Sequence, residues 1–248
     1  HAEMPLKTVS GKHSDPRKGR GAGINPEGRF EKVARESYDD GWDRQEGDLP
    51  PLKTHVTEER VKSIISRNDS PDIGFSRSIN AYWGCEVGCP YCFARPSHAY
   101  RNLSPGIDWE TRLTAKVNAA QLLREELSRP KYRCELIAMG TNTDPYQPIE
   151  RKYQITRQIL EVCAEFNQPV GIVTKNAMVE RDIDILAPMA KKNLASVFIS
   201  CNNLDHDVAR YIEPRASAPT RRLQAMKALS DAGIPVGVLV APVIPFLT

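Results

Sequence analysis

The sequence contains no apolar run approaching the roughly 18 residues that a membrane span requires, and no basic segment followed by an apolar one opens it. We therefore expect no membrane association, a cytoplasmic location and reduced cysteines. Strong charge of either sign is also missing, because 34 Lys and Arg residues against 31 Asp and Glu residues leave a net charge of +3. Nucleic acid stays a candidate partner that this charge does not support, since phosphate binding needs a concentrated basic face.

The first 75 residues hold few large apolar side chains and change sign along their length. Residues 1–35 carry eight Lys or Arg against four Asp or Glu, whereas residues 36–50 carry six acidic residues and the single Arg44. Such a stretch does not supply a core of its own. We predict that residues 1–75 form an irregular N-terminal arm, either partly disordered or wrapped over a site, and that residues 76–248 form the body.

From residue 76 onward, short apolar runs alternate with longer amphipathic stretches, a pattern typical of repeated βα units around a parallel sheet. Five runs rich in Ile and Val are predicted as strands: residues 78–83, 134–140, 170–174, 197–201 and 236–241. Apolar residues at helical spacing predict helices over 108–130 and 155–166, and a third apolar stripe consists of Leu223, Met226 and Leu229.

Polar residues follow four of these strands, at 84–85, 141–144, 174–176 and 200–203. The carboxyl ends of the strands converge at one mouth of a βα barrel, so we predict an α/β fold of the partial (βα)6 TIM-type barrel kind. Only five strands precede Thr248, and we therefore expect that the sixth βα unit is absent and the chain is a truncated fragment. An unpaired edge on the fifth strand would be the sign of this; the alternatives are a different closure of five strands or coverage by the arm.

The most specific motif is CEVGCPYC, which sets Cys85, Cys89 and Cys92 in a CxxxCxxC spacing directly after the first strand. Soft thiolates at this spacing suit zinc or an iron–sulfur cluster. A closed zinc site needs a fourth ligand, and no second CxxC pair is present. A four-iron cluster held by three thiolates instead leaves one iron open to a substrate or cofactor. We assign Cys134 and Cys163 to the core, and leave Cys201 open between the core and the mouth.

This motif, with the aromatic Tyr91 before its last cysteine, resembles the signature of the radical S-adenosylmethionine (SAM) superfamily. The segments GCEVGCPYCFAR, TDPYQPIE, TKN, EPRA and VAPVIP resemble the spore photoproduct lyase branch, and GRGAGINPEGRF resembles uncharacterised bacterial proteins of that branch. The resemblance runs from Gly19 to the end. It implies a [4Fe–4S] cluster on the three cysteines, reductive cleavage of SAM to a 5′-deoxyadenosyl radical, an electron donor such as a flavodoxin or ferredoxin, and a substrate that the fold does not specify.

The resemblance also implies SAM contacts at the strand ends. The Thr143 hydroxyl would accept a hydrogen bond from the methionyl ammonium group of SAM, and Asp144 would serve as an acidic partner or as a helix cap. Lys175 or Arg215 would bind the methionyl carboxylate. The ribose would meet Ser200 or Asn202, and the adenine would lie near Tyr91 and the backbone around residues 240–241. Each has a structural alternative, such as an Arg215–Glu213 ion pair, and no catalytic residue can be assigned.

Two other functions stay open at this point. A zinc-binding interaction module could use the three cysteines with His98, but it would leave the polar strand ends unexplained. A lyase acting on DNA photolesions would share the radical chemistry and could use Lys18, Arg20 and Arg29 for phosphate contacts. The resemblance then requires a cysteine hydrogen donor near the SAM loop, where this sequence has Asn142.

Overall fold

The computed structural model describes Ala22 and residues 53–248. The predicted arm up to residue 52, Ala22 apart, lies outside the described residues. The later part of that arm, up to residue 75, contains two strands that pair with the body. The division of the chain at residue 75 stays a prediction.

The described residues alternate between short strands and helices. The strands are β1 (His55–Glu59), β2 (Ile65–Arg67), β3 (Arg77–Ile79), β4 (Tyr82–Trp83), β5 (Arg112–Lys116), β6 (Ile137–Met139), β7 (Val170–Thr174), β8 (Ala195–Ser200) and β9 (Val236–Leu239). The α-helices are α1 (Ile107–Thr111), α2 (Ala119–Leu127), α3 (Glu150–Tyr153), α4 (Ile155–Glu165), α5 (Ile183–Ala190), α6 (His206–Ile212) and α7 (Pro219–Asp231), with 3₁₀ helices at Arg95–Arg101 and Ala177–Asp182. None of the helices described is long and apolar enough to cross a bilayer.

The main sheet has six strands in the order β2-β3-β6-β7-β8-β9. From β3 to β9 each strand is parallel to its neighbour and follows it in chain order, with helices in the connections. This is the arrangement of consecutive βα units in a partial barrel, and it confirms the predicted α/β fold class. The carboxyl ends of five strands therefore share one edge, which is where the sequence has its polar segments.

The two outer strands of this sheet differ. The antiparallel strand β2 covers the free side of β3, so a segment assigned to the arm protects that edge. At the other end β9 pairs with β8 alone among the described strands. Residues Val238 and Val240 in and after β9 are more than half exposed.

The predicted strand at 78–83 is divided by Asn80. Its first half is β3 in the main sheet, and its second half is β4 in a separate three-stranded sheet of order β1-β5-β4. Asn80 turns its side chain toward the mouth, where its Oδ1 accepts the N–H groups of Asn142 and Thr143 at 2.9 and 3.2 Å. The break therefore places a polar side chain under the loop that follows β6.

The predicted helix at 108–130 is wrong over its central part. The chain forms α1, then β5, and only then α2. The strand pairs in parallel with β1 and in antiparallel with β4, and buries Leu113, Thr114 and Ala115 in succession. Backbone pairing on both sides outweighs the helical spacing of the apolar residues here. Asp108 lies inside α1, where its carboxylate accepts the N–H of Ser104 at 3.1 Å, so it is not the helix N-cap.

Two further sequence-based expectations are corrected. Cys134 is exposed, because β6 begins only at Ile137, whereas Cys163 in α4 is buried as expected. On α7 the predicted stripe holds at Met226 and Leu229, which pack into the core, but Leu223 is 46% exposed and the neighbouring Arg222 is buried instead. The helix turns this arginine inward because its guanidinium has buried acceptors there.

A single large apolar core supports the mouth from below. The strands contribute completely buried residues such as Ile137, Met139, Ile172, Val197 and Ile199. Helices α2, α4, α5 and α7 pack their apolar side chains into the same core. Each fully buried aliphatic side chain contributes about 1.5–3 kcal/mol, so the sheet is a rigid base for the loops that follow its strands.

Gly140 ends β6 at the mouth with φ +87°, and a Cβ built there would lie 2.0 Å from the Val173 carbonyl oxygen. We predict that Gly140→Ala lowers the free energy of unfolding by about 3 kcal/mol, because backbone strain and a backbone clash add together. Urea unfolding measures the change. Gly74→Ala is the matched control, since a Cβ there meets nothing within 4 Å and should cost less than about 0.5 kcal/mol. Equal costs for the two variants would contradict the analysis.

Candidate metal and cofactor site

The cysteine loop leaves β4 through Gly84, whose φ of +75° and close neighbours exclude a side chain. A Cβ at this position would lie 2.6 Å from Leu113 Cδ2 and 2.9 Å from the Trp109 carbonyl oxygen. The same carbonyl accepts the N–H of Cys85 at 2.9 Å. The loop is therefore in contact with α1 from its first residue.

All three motif cysteines belong to one small apolar cluster around this contact. Its buried members are Cys85, Val87, Cys89, Ala94 and Trp109, and Tyr91, Cys92 and Ala216 pack against them.

Glu86 is buried between two of the cysteines and is bonded on several sides. Its Oε1 accepts from Thr54 Oγ1 at 2.6 Å and from Arg215 Nη1 at 2.9 Å, and its Oε2 accepts the N–H of Ile149 at 2.9 Å. Its own N–H donates to Gln147 Oε1 at 2.9 Å. A buried carboxylate needs such partners to remain charged. Glu86 thus ties the cysteine loop to the segment before β1, the loop after β6 and the segment after α6.

Arg95 holds the second half of the loop. Its Nε donates to the Cys89 carbonyl at 2.9 Å, and its Nη2 forms a buried ion pair with Glu110 at 2.5 Å. The Arg95 N–H also donates to the Cys92 carbonyl at 3.4 Å. Arg95 therefore fixes the carbonyl groups of Cys89 and Cys92 and holds the second half of the loop in place.

The environment of these sulfur atoms opposes free thiolates. Burial, followed by the charge of Asp144, raises the pKa of the Cys85 thiol well above its usual range. Burial raises the pKa of the Cys89 thiol to about 12. Thiolates form here only with a strong positive charge beside them, and a bound metal supplies one because metal ligation releases the thiol protons. The donor set, three soft ligands in an apolar cluster, fits an iron–sulfur cluster.

Lys175, which follows β7, supplies a cation next to this group. Its Nζ lies 6.0 Å from the centre of the Tyr91 ring. Burial opposes the charge of the ammonium, yet the charges of Cys89 and Glu213 outweigh it and raise its pKa. Tyr91 in turn donates its hydroxyl to Glu213. The structure thus brings together the predicted site residues Tyr91, Lys175 and Cys89 at the mouth.

Asp144 fastens the loop after β6 to the end of β7. Its Oδ1 accepts from Thr174 Oγ1 at 2.7 Å and from the Tyr146 N–H at 2.9 Å, while its Oδ2 accepts the Lys175 N–H at 2.8 Å. These bonds make Asp144 a loop cap, one of the two roles that the sequence allowed. Thr143 is buried beside it, and its hydroxyl has only a long contact of 3.5 Å to the Tyr82 carbonyl.

The end of β8 is organised by Arg222 from α7. This buried guanidinium donates to the Ser200 carbonyl at 2.9 Å and to the Ser217 carbonyl at 2.7 Å, and it forms an ion pair with Glu213 at 2.5 Å. Glu213 is therefore paired with Arg222, and the predicted Arg215–Glu213 pair does not form; Arg215 binds Glu86 instead. Cys201 is buried, with its Sγ 3.6 Å from the Asn203 carbonyl oxygen.

Asn202, two residues beyond β8, has the most informative side chain at the mouth. It is 7% exposed, and neither its Nδ2 nor its Oδ1 has a hydrogen-bond partner among the described residues. A buried amide without partners costs about 1–3 kcal/mol for each unmade bond. Such a group at a strand end indicates a place where a ligand supplies the missing donor and acceptor.

Several residues that shape this site carry no signal in the sequence. Glu86 and Gln147 read as ordinary polar loop residues, Asn80 stands inside a predicted strand, and Arg222 stands beside a predicted apolar stripe. Only the tertiary contacts show that Glu86, Gln147 and Arg222 are buried and that the partly buried Asn80 binds the loop after β6. Sequence-based reasoning could have flagged Glu86 alone, because a charged residue between closely spaced metal ligands needs a partner.

The arrangement of these side chains does not fit a site for a single zinc ion. Within the described part of the chain, no three His, Cys, Asp or Glu side chains are grouped so as to hold one metal ion. His98, the proposed fourth ligand, packs edge-on against Trp109 with 5.3 Å between ring centres, and burial lowers its pKa to about 4. Cysteines that each bind a different iron of one cluster do not need to meet at a single point.

Fold and site together define a class of protein, a partial βα barrel with a three-cysteine loop and a cationic side chain at the carboxyl ends of its strands. The sequence profile of the radical SAM superfamily matches residues 79–248, and the chain belongs to this superfamily. The resemblance noted in the sequence is thereby confirmed. Members of the superfamily are enzymes that use a [4Fe–4S] cluster and SAM.

Uncharacterized proteins of a bacterium and an archaeon are similar to this chain in sequence. An uncharacterized protein of Mycobacterium tuberculosis is 40% identical over 174 residues, which are 70% of this chain and 51% of the relative. An uncharacterized protein of Methanocaldococcus jannaschii is 29% identical over 195 residues, 79% of this chain and 70% of its own length. The chain thus spans about half the length of the mycobacterial protein that it matches.

Solved structures support the fold. Spore photoproduct lyase complexed with a dinucleoside spore photoproduct superposes with a TM-score of 0.57 at 17% identity, covering 77% of this chain and 52% of the lyase. A variant of that lyase with bound AdoMet and the dinucleoside gives a TM-score of 0.50 at 19% identity, covering 75% of this chain. At these identities the likeness concerns the fold.

The role of Glu86 can be tested without any cofactor. We predict that Glu86→Ala lowers the free energy of unfolding by about 3 kcal/mol, because Arg215 and two partly buried donors, Thr54 Oγ1 and the Ile149 N–H, lose their acceptor. Urea unfolding of the metal-free chain is the measurement. Glu58→Ala, an exposed carboxylate on β1, is the matched control and should change little. If the two variants were equally stable, Glu86 would not anchor the loop.

Proposed function

We propose that Cys85, Cys89 and Cys92 hold a [4Fe–4S] cluster and that the mouth around them binds SAM for reductive cleavage. The observation that carries this proposal is the burial of Cys85 and Cys89 in one apolar cluster, with Cys92 packed against it and Lys175 nearby. The unpartnered Asn202 at the end of β8 adds to it. When bound, the cluster supplies one electron to SAM, and cleavage yields methionine and a 5′-deoxyadenosyl radical that acts on the substrate.

The residues of this chain bind and orient SAM. Lys175 is the cation for the methionyl carboxylate, since its pKa is raised beside the cysteines and it stays charged. Arg215, the other sequence-based candidate, already gives one guanidinium nitrogen to Glu86 and anchors the cysteine loop. Thr143, whose hydroxyl has only a weak contact, is the acceptor for the ammonium group, and Asp144 keeps its loop in place.

The far side of SAM meets the end of β8. Asn202 offers one donor and one acceptor that the described protein leaves unused, which matches the pair of hydroxyls on a ribose. Ser200 lies two residues earlier, as the last residue of β8, and is buried. The Tyr91 ring is fixed by its bond to Glu213 and lies 6.0 Å from Lys175 Nζ, which places it near the adenine in this proposal.

A DNA-lesion lyase is the second candidate from the sequence, and the described site does not favour it. The position expected for a hydrogen-donating cysteine holds Asn142, whose Nδ2 donates to Ser97 Oγ at 3.4 Å. Cys201 lies on another strand end with its Sγ beside a carbonyl oxygen. We therefore propose radical SAM chemistry with an electron carrier such as a flavodoxin or ferredoxin as reductant, and assign no substrate.

The cluster assignment is tested by replacing each motif cysteine with alanine. Anaerobically reconstituted wild-type chain with SAM and dithionite should produce 5′-deoxyadenosine and methionine, measured by mass spectrometry. Each of the three variants should lose visible cluster absorbance, iron and sulfide together with this cleavage, because a ligand is missing. Cys134→Ala, at an exposed cysteine, should retain all of them. Cluster and cleavage retained in two of the three motif variants would contradict the assignment.

The SAM pocket is tested by Asn202→Ala. Since the amide has no described partner, its removal should leave the free energy of unfolding of the SAM-free chain within about 0.5 kcal/mol of wild type or raise it. The same change should weaken SAM binding by about tenfold, because the ligand loses one or two hydrogen bonds. Equilibrium binding measures the SAM affinity, and urea unfolding measures the free energy of unfolding. Lys191→Ala, an exposed lysine after α5, is the control for binding. Unchanged SAM affinity would remove Asn202 from the pocket.

A further inference from the structure

A cleft of about 440 Å³ opens beside the cysteine loop, and its lining does not include the residues assigned to SAM. Its walls come from the segments that follow β6 and β7 and from the segment between α6 and α7. The charged side chains of the lining are Arg151, Arg181, Arg215, Arg221 and Glu180. Four arginines around a concave surface are the usual means of holding an oxyanion.

Three of the four arginines of the cleft are paired with carboxylates. Arg181 pairs with Glu150 and Asp182, both at 2.8 Å, and Arg215 pairs with Glu86 at 2.9 Å; these three carboxylates are buried and are not part of the lining. Arg221 pairs with Glu180, which lines the cleft beside it. Arg151 on α3 is exposed and forms no ion pair with a described residue.

A second feature of the cleft points independently to a ligand. Asn176, directly after the end of β7, lines the cleft and is 6% exposed, and its Nδ2 has no hydrogen-bond acceptor among the described residues. Its backbone N–H is already satisfied by Thr174 Oγ1 at 3.0 Å. The amide is therefore held in place with a donor unused, and an oxyanion in the cleft supplies the missing acceptor.

The chemistry of the remaining wall limits the kind of ligand. Pro148, Met178 and Ala216 add an apolar part to the cleft, and the volume suits a small molecule better than a polymer or a protein surface. Forked guanidinium groups favour the oxygens of a doubly charged phosphate. We propose that this cleft binds a small molecule ending in a phosphomonoester, with the phosphate between Arg151 and Asn176. The proposal does not depend on the cluster or on SAM.

The test is calorimetric titration of the full 248-residue chain with methyl phosphate, with inorganic phosphate as a second probe, at constant ionic strength. Wild type should show saturable binding of both. Arg151→Glu should weaken it by about tenfold or more, because a charge-assisted contact is reversed, and Asn176→Ala by about fivefold, because a neutral hydrogen bond is lost. Arg124→Glu, which alters an exposed arginine on α2 paired with Glu165, is the matched control and should bind as wild type does.

Three results would overturn the proposal. A titration that does not saturate would show that the cleft has no specific phosphate site. Equal loss of phosphate affinity in the Arg124→Glu control would show that binding reflects general charge attraction. Tighter binding of a DNA oligonucleotide without terminal phosphates, sensitive to Arg151→Glu, would instead identify a nucleic-acid surface. Each result can be obtained with the metal-free chain, so a failure here is distinguishable from a failure of the proposed SAM chemistry.

Discussion

The buried carboxylate of Glu86 is the constraint on which the architecture of the mouth depends. It lies between Cys85 and Cys89 in an apolar cluster, where an unpaired charge would be severely unfavourable. Its partners come from residues distant in the chain, Thr54, Ile149 and Arg215. Since these partners are fixed only when the βα units are assembled, the cysteines take their positions as a consequence of the barrel, and the loop does not form a site by itself.

The polar residues of the mouth divide into those that are satisfied by the protein and those that are not. Asp144 and Arg222 use their hydrogen-bonding groups on neighbouring strand ends, so their role is to hold the mouth in shape. Asn202 and Asn176 are equally buried but keep polar atoms without described partners. Only the second kind is left for a ligand. The two amides follow the adjacent strands β7 and β8, and Asn176 lines the arginine cleft, so the proposed SAM site and the proposed phosphate site are separate regions at one edge of the sheet.

The sequence predicted the features that depend on local periodicity or on a motif. Residues 170–174 form β7 as predicted, and the helix predicted over 155–166 is α4. Cys85 and Cys89 share one buried cluster with Cys92 packed against it, while their joint ligation of an iron–sulfur cluster stays a prediction. Sequence-based prediction failed where backbone pairing between distant segments decides the outcome. The strand β5 forms because β1 and β4 flank it, although its residues read as helical. The inward turn of Arg222 likewise depends on acceptors contributed by Ser200 and Glu213, which no local pattern shows.

The burial of the cysteines explains why a cation must share their site. Desolvation raises the pKa values of Cys85 and Cys89, so burial opposes the charged form of these two thiols. Binding of a metal cluster converts these thiols into thiolates, and the negative charge then needs compensation from within the protein. Lys175 is the group placed to give it, because its ammonium lies against the Tyr91 ring and responds to the charge on Cys89. Under the proposed function the same side chain would also meet the carboxylate of SAM, so a single buried cation would serve both the loaded cysteine loop and the proposed SAM site.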